Sequence, residues 1–320
     1  MIEVIEYSRG GVQEISLDKA SPLKKLTWIR CNEPSAHELS ELAKKIKIEK
    51  RYLRMAIDED EVPKVISVND GVMFIIKAPS TEDDDLIAHS FAVIITSHYF
   101  ITLAPKRLVS IDKFTEMPKD DLEEIFSQGK DVLLYEIYSA VIKDYFAQID
   151  KIENKIDKIE EHVIDNPKKE VVEKIFNIKK TLIYFHKALI ANKEAFFAMH
   201  RDNYKVIQSK NRKLFFELYN ESVQLVEMVA IFRDVLTGTL DIYMSSISNN
   251  MNEVMKKLTV VASLILIPTL ITGIYGMNFS VNSPWNMPEL YWKYGYFFAL
   301  GLMVLSVFVT YTYFKRKSLI

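Results

Sequence analysis

The sequence has a single cysteine, Cys31, in 320 residues. That excludes an intramolecular disulfide and a cysteine-rich zinc site, and it suits a reducing compartment. It has almost no charge surplus: 41 Lys and Arg stand against 43 Asp and Glu, a formal net charge of −2. No general basic field invites nucleic acid, and no acidic tail invites a basic partner. A glycine-rich phosphate loop, an HExxH helix and paired cysteines are missing, and the six histidines are scattered. The usual nucleophile and metal constellations are therefore absent, and an enzyme is not expected. The opening "MIEVIEYSRGG" alternates like a strand and lacks a basic start, an apolar core and a small-residue cleavage site, so no secretory leader is expected there. Long apolar runs are lacking as well, until residue 258.

From that point the composition changes. Leu258 to Met277, "LTVVASLILIPTLITGIYGM", and Tyr294 to Phe314, "YGYFFALGLMVLSVFVTYTYF", are uncharged runs of about 20 residues each. At about 1.5 Å per helical residue, each can cross a hydrocarbon core of about 30 Å. Both read as transmembrane helices; the alternative, a buried hairpin in a soluble core, does not explain their flanks. Lys256 and Lys257 precede the first run, and Lys315, Arg316 and Lys317 follow the second, while the connection "NFSVNSPWNMPELYWK" holds only Glu289 and Lys293. Basic flanks mark the cytoplasmic side, so a multi-pass protein of the cell membrane is expected, with both termini cytoplasmic and the loop outside. Trp285, Tyr291, Trp292 and Tyr294 crowd the loop side as an interfacial aromatic belt does.

Ahead of the membrane the chain has two textures. Up to about Gln128 it mixes short strand-like runs, "LTWIRC" and "VMFIIKA", with an amphipathic helix that starts at Ser35 in "SAHELSELAKKI". The Asn69–Gly71 "NDG" is a hairpin signal, and "LIAHSFAVIIT" and "YFITLA" form another hairpin turning near Ser97 and His98. From about Lys130 the period becomes helical. Ile142, Ile149, Ile152, Ile156, Ile159 and Val163 step by sevens, threes and fours, and Val171, Ile175, Ile178, Leu182, Phe185 and Leu189 repeat the step after a break at Asn166 and Pro167. These predict an antiparallel helical pair. A third helical pattern starts near Lys213 and meets no stop signal before Pro268 and Gly273. One helix on the order of 100 Å long, reaching Met277, is the simplest expectation.

The fold class expected is α+β. Residues 1–128 form a cytoplasmic α/β domain, 129–257 a helical stalk, 258–277 the first transmembrane helix, 278–293 an external loop, 294–314 the second transmembrane helix and 315–320 a basic cytoplasmic tail.

A long helix entering the membrane, Tyr275 followed by Gly276, Met277 and Asn278 at its outer end, a short loop with "MPEL" at Met287–Leu290, a second membrane helix and a basic carboxyl end together resemble the CorA family of magnesium transporters. The three-residue signature would be weak alone; its position and company carry the resemblance. What the resemblance implies is a homopentameric channel in the lipid bilayer, with the first membrane helix around a central pore and Gly276, Met277 and Asn278 as the selectivity filter. Mg²⁺ sheds water reluctantly, so a neutral amide such as Asn278, accepting hydrogen bonds from the ion's water shell, suits its passage better than a carboxylate. Gly276 lets the helix end open and the backbone approach closely.

Met255, Leu258, Ala262, Leu266 and Thr269 are spaced by threes and fours and share one helix face. By resemblance Thr269 is a polar ring, Leu258 and Met255 form a hydrophobic gate, Asn252 lies just inside, Gly273 completes the lining and Glu289 belongs to the external loop. Leu266 stands where some relatives have methionine, and Pro268 is one place off a proline they carry. The resemblance also implies Mg²⁺ as regulatory ligand as well as transported ion. Candidate regulatory acids are the cluster Glu82, Asp83, Asp84 and Asp85, together with Glu217 on the long helix; a solvated loop and a charged helix face are their plainer interpretations. Another divalent cation, Co²⁺, Ni²⁺ or Zn²⁺, is the alternative cargo, with Met277 favouring magnesium. A membrane-anchored scaffold or sensor is the alternative of a different class, and it would leave the asparagine at the helix end without purpose.

Overall fold

Alternation of apolar residues produces a seven-stranded sheet among the residues that the computed structural model describes, which are 2–8, 11–20, 26–82, 85–163, 169–278 and 287–317. The strands are β1 (Ile2–Ser8), β2 (Gly11–Ile15), β3 (Leu26–Asn32), β4 (Lys64–Val68), β5 (Gly71–Glu82), β6 (Asp85–Thr96) and β7 (Tyr99–Ala104), in the order β2-β1-β3-β7-β6-β5-β4. The pair β3 and β7 is parallel, and the other neighbours are antiparallel. Both expected hairpins form. Asn69 takes a left-handed φ of 26°, and Gly71 lies so close to β6 that a Cβ there would stand 2.2 Å from the Ile95 carbonyl oxygen, so the turn needs its glycine.

Side chains two apart share a face. Ile29, Cys31, Met73, Ile75, Ala92, Ile94, Ile101 and Leu103 pack with Leu42, Leu53 and Ala56 from helices α1 (Ala36–Ile46) and α2 (Lys50–Ala56). Helix α1 starts at Ser35 as expected, with a reciprocal cap: the Glu38 N–H donates to Ser35 Oγ at 3.2 Å and the Ser35 N–H to Glu38 Oε2 at 2.7 Å. The intervening residues, Trp28, Phe74, Ile76, Phe91, Val93 and Phe100, are buried on the opposite face. Trp28 meets Phe114 of α3 (Val109–Glu116) and Phe126 of α4 (Lys119–Gln128) edge to face, and its indole donates to Thr102 Oγ1 at 3.1 Å.

The rest of that face is covered by α5 (Lys130–Val163) and α6 (Lys169–Arg201). Ile142, Ile149, Ile152, Ile156 and Ile159 are buried, as are Ile175, Leu182, Phe185 and Leu189, and Val171 and Ile178 are half-buried. The break at Asn166 and Pro167 and the surroundings of Val163 lie outside the described residues. Gly129, with φ of 117°, separates α4 from α5 where the boundary was expected, yet the two sides are not independent. Leu133, Ile137, Tyr138, Val141 and Tyr145 are buried, with Tyr138 edge to face on Phe91 and donating to the Phe74 carbonyl at 3.2 Å. A sheet apolar on both faces needs cover on both, and residues 1–240 consequently make one compact unit.

Asn192 of α6 locks this cover in place. The β4–β5 ladder ends at the pair Lys64 and Ile75; Pro63, just before it, has no N–H to extend the pairing. At the next outward-facing position of β5, Asn192 substitutes for a strand. The Lys77 N–H donates to Asn192 Oδ1 at 2.7 Å, and Asn192 Nδ2 donates to the Lys77 carbonyl at 2.8 Å, which also accepts from the Tyr145 hydroxyl at 3.1 Å. At the other end of α5, buried Asp131 accepts from the Gln208 N–H and from Asn211 Nδ2, both at 2.9 Å, tying the helix start to the α6–α7 connection.

Helix α7 (Arg212–Tyr275) is 64 residues long and passes Gly238 and Pro268 without a break. Proline at 268 deprives the Leu264 carbonyl of its helical donor. Nearby hydroxyls bond back to the helix, Thr269 to the Ile265 carbonyl at 2.8 Å and Thr272 to the Thr269 carbonyl at 2.8 Å, so they bring no unsatisfied polar group into an apolar setting. Residues 241–320 form the second unit, containing the end of α7 and all of α8 (Gly295–Arg316). The most apolar stretches of the two helices have mean hydropathy 2.1 and 1.9, and only 6% of each is buried. A hairpin in a soluble core would be mostly buried, so the membrane assignment is the one that fits.

Candidate ion pathway

The residues of the expected lining lie on one exposed face of α7. Met255 is 54% exposed, Leu258 60% and Leu266 67%, and Asn252, Ala262, Thr269 and Gly273 are exposed with them. The stripe is apolar for about four turns and polar at both ends. Near its upper end, Thr269 spends its proton on the Ile265 carbonyl, which leaves the hydroxyl oxygen to accept from water. Gly273 has nothing within 4 Å of where a Cβ would stand, so its smallness answers no contact within the protomer.

The helix ends at the signature. The Gly276 N–H still reaches the Thr272 carbonyl at 2.9 Å, the Met277 N–H reaches the Ile274 carbonyl at 3.2 Å, and regular structure then stops. Gly276 is not left-handed. A Cβ there would stand a tight 3.1 Å from the Thr272 carbonyl oxygen. Met277 is half exposed and Asn278 is exposed at the helix end. Beyond residues 279–286, which include Trp285 and lie outside the described residues, Glu289 sits in a short 3-10 turn, Pro288–Tyr291. Gly295 packs so tightly on this turn that a Cβ would stand 2.1 Å from the Glu289 carbonyl oxygen. Tyr291, Trp292 and Tyr294 are exposed, with Trp292 edge to face on Tyr294 at 6.2 Å, as an aromatic belt requires.

The acids behave differently. Asp83 and Asp84 lie outside the described residues. Glu82 and Asp85 pair at the tip of the β5–β6 hairpin. Glu217 is on α7 beside α5, accepting from the Tyr135 hydroxyl at 3.4 Å. Tyr135 is one turn before Tyr138, which bonds to Phe74, and the hairpin tip is eight strand residues farther along, about 26 Å. Within one chain the strand ends at Glu82 and Asp85 therefore lie far from Glu217, and among the described residues no group of three or more His, Cys, Asp or Glu is placed to hold a metal ion. Sequence reasoning missed the surroundings of Glu217. Glu221, one turn on, has its carboxyl pushed up by burial and by the charge of Glu217, against the pull of Lys143. The i, i+4 spacing of the two glutamates was the available signal; Tyr135 and Lys143 had none.

The family described as CorA-like Mg2+ transporter protein matches residues 24–316. The cobalt/magnesium transport protein CorA of Methanocaldococcus jannaschii is 33% identical over 321 residues, covering 99% of each chain. The protein of the same name from Thermotoga maritima is 33% identical over 258 residues, covering 80% of this chain and 72% of its own. The solved structure of the complete Methanocaldococcus jannaschii CorA magnesium transporter superposes with a TM-score of 0.90, at 30% identity, over 100% of this chain and 99% of that one. Proteins of this family are transporters, not enzymes. An exposed stripe on a membrane helix that ends in Gly276, Met277 and Asn278, within a fold shared over its whole length, makes this chain a member of the CorA-like Mg2+ transporter family.

Proposed function

We propose that the chain assembles as a homopentamer in the cell membrane and admits Mg²⁺ along an axis lined by α7, with both termini in the cytoplasm. The observation that carries this is the exposed stripe from Asn252 to Gly273, apolar in the middle and polar at its ends, running up to the exposed Asn278 amide. Around a common axis Asn252 and the free acceptor side of the Thr269 hydroxyl meet water. A ring of Asn278 amides accepts hydrogen bonds from the hydrated ion without the deep well of a carboxylate, so the ion enters and leaves with its water. Thr269 hydroxyls repeat that contact lower down. Leu258 and Met255 then form a constriction that conducts only when wide enough to stay wet.

Cytoplasmic Mg²⁺ is the closing ligand in this mechanism, bound between subunits by acids of the hairpin at residues 82–85 or by Glu217. The separation of these acids within one chain supports a site shared between neighbours. Cobalt is the second cargo to weigh, because the Methanocaldococcus and Thermotoga relatives carry both metals in their names; hydrated Co²⁺ would meet the same amides.

Vesicles reconstituted with the protein test the assignment. Asn278→Ala should abolish Mg²⁺ uptake while leaving the oligomer assembled, and cobalt hexaammine, which cannot shed its ligands, should block uptake from outside. Wild-type rates in Asn278→Ala would refute the filter, and indifference to the hexaammine complex would refute passage of the hydrated ion. Competition among Mg²⁺, Co²⁺, Ni²⁺ and Zn²⁺ ranks the cargo.

A further inference from the structure

The second unit holds a groove beside the proposed ion pathway, sharing Asn252 and Met255 with it. It has a volume of about 620 Å³, lies between α7 and α8, and is lined by Asn249, Glu253, Lys256, Thr259, Val260 and Phe314, together with Asn252 and Met255. We propose that this groove binds the phosphate headgroup of an anionic phospholipid.

The groove has the polarity of an amphiphile. Amides and an ammonium, from Asn249, Asn252 and Lys256, line it at the charged end of the helices. Val260, which is only 7% exposed, and the half-buried Phe314 line it about one turn deeper, toward the uncharged runs. A phosphate at the level of Lys256 therefore leaves its glycerol and first acyl carbons against Val260 and Phe314, about 6 Å further along the helix. The charge is complementary. Lys256, Lys257, Lys315, Arg316 and Lys317 lie at this end of the unit, where Glu253 is the one acidic side chain among the described residues lining the groove and is engaged by Lys257 at 3.0 Å. Basic clusters beside a membrane helix attract anionic lipid, each cation contributing about fivefold. Asn249, Glu253, Lys256 and Val260 recur by threes and fours and face roughly 150° away from the Met255 to Thr269 stripe at 3.6 residues per turn. A phosphate held by Asn249 and Lys256 would thus sit off the stripe, although Asn252 and Met255 border both. The site depends on α7 and α8 being membrane helices, but not on ion transport.

The full chain in nanodiscs of phosphatidylcholine with a minor fraction of phosphatidylglycerol, followed by native mass spectrometry, counts the lipid retained. Phosphatidylglycerol should be retained over phosphatidylcholine, and Lys256→Gln with Lys315→Gln should weaken its retention about thirtyfold. Lys293→Gln, in the opposite loop, should change nothing. Raising the salt should strip the lipid from the wild-type protein, a measurement that stands even if the double variant does not fold. Equal retention of the two lipids, indifference to salt, unchanged retention in a folded double variant or displacement by free glycerol phosphate would each overturn the site. Failure of Mg²⁺ uptake would refute the transport mechanism and leave the lipid count as it was.

Discussion

Asn192→Ala offers a direct test of how the helical layer is fastened to the sheet. The substitution removes an acceptor from the Lys77 N–H and a donor from the Lys77 carbonyl. The two losses differ in weight. The carbonyl keeps the Tyr145 hydroxyl at 3.1 Å, so that loss costs about 1 kcal/mol. The N–H lies past the end of β4 with the amide as its hydrogen-bond acceptor, so leaving it unmet costs about 1–3 kcal/mol. Together they predict a destabilisation of about 2–4 kcal/mol, or roughly 5–15 °C in Tm for a unit of this size. Tyr145→Phe removes one of two donors to the same carbonyl and should cost about 1 kcal/mol or less. Thermal unfolding of the detergent-solubilised protein reads the midpoints, and hydrogen exchange along β5 reads the Lys77 amide, which should lose protection only in Asn192→Ala. Equal midpoints for wild type and Asn192→Ala, with the Lys77 amide still protected, would show that the side-chain amide does not replace the missing strand.

Neutralising Asp83, Asp84 and Asp85 to asparagine should raise the internal Mg²⁺ that halts influx by about fivefold or more, with little further change on adding Glu217→Gln if both sets share one ion; an unchanged dependence in every variant would leave these acids as solvated surface. Burial pushes the Lys130 ammonium down to about 8, against the opposing charge of Asp70. The unfolded chain therefore keeps a proton that the folded chain has released between about pH 8 and 10.5, so this group makes stability rise with pH across that window and is neutral below it. The difference between wild-type and Lys130→Met unfolding midpoints, followed over pH, should show that slope. Gly273→Ala has room within the protomer and favours helix by about 1 kcal/mol, so it should not lower Tm, whereas a pore-facing position predicts slower Mg²⁺ uptake; unchanged uptake would move Gly273 off the axis.

Features written in local chemistry were legible from the sequence. Ser35 and Glu38 announce the start of α1, Asn69 to Gly71 announces a turn that a side chain would jam, and the uncharged runs with their lysines announce the membrane helices. That Met255, Leu258, Ala262, Leu266 and Thr269 share one exposed face was equally readable, because its period is a property of one helix. What was not readable depends on distant partners. Nothing near Leu133 or Tyr138 indicates that α5 closes the face of the sheet, so the boundary at residue 128 separated two parts of one unit. Asn192 and Lys77 are 115 residues apart, and an asparagine inside an amphipathic helix looks like an ordinary polar residue until a strand edge is set against it. Gly276 was read for backbone freedom and close approach, and a Cβ there would stand 3.1 Å from the Thr272 carbonyl oxygen.

The two-sided sheet also sets a schedule for synthesis. Its last strand is complete at Ala104, but the cover over Phe74, Phe91 and Phe100 is not finished until α6 ends at Arg201. At about 5–20 residues per second, that apolar face stands bare for about 5–20 s on the ribosome. The first membrane run is made later still, after residue 257. The sheet and both of its covering layers are therefore synthesised before the apolar run at residue 258.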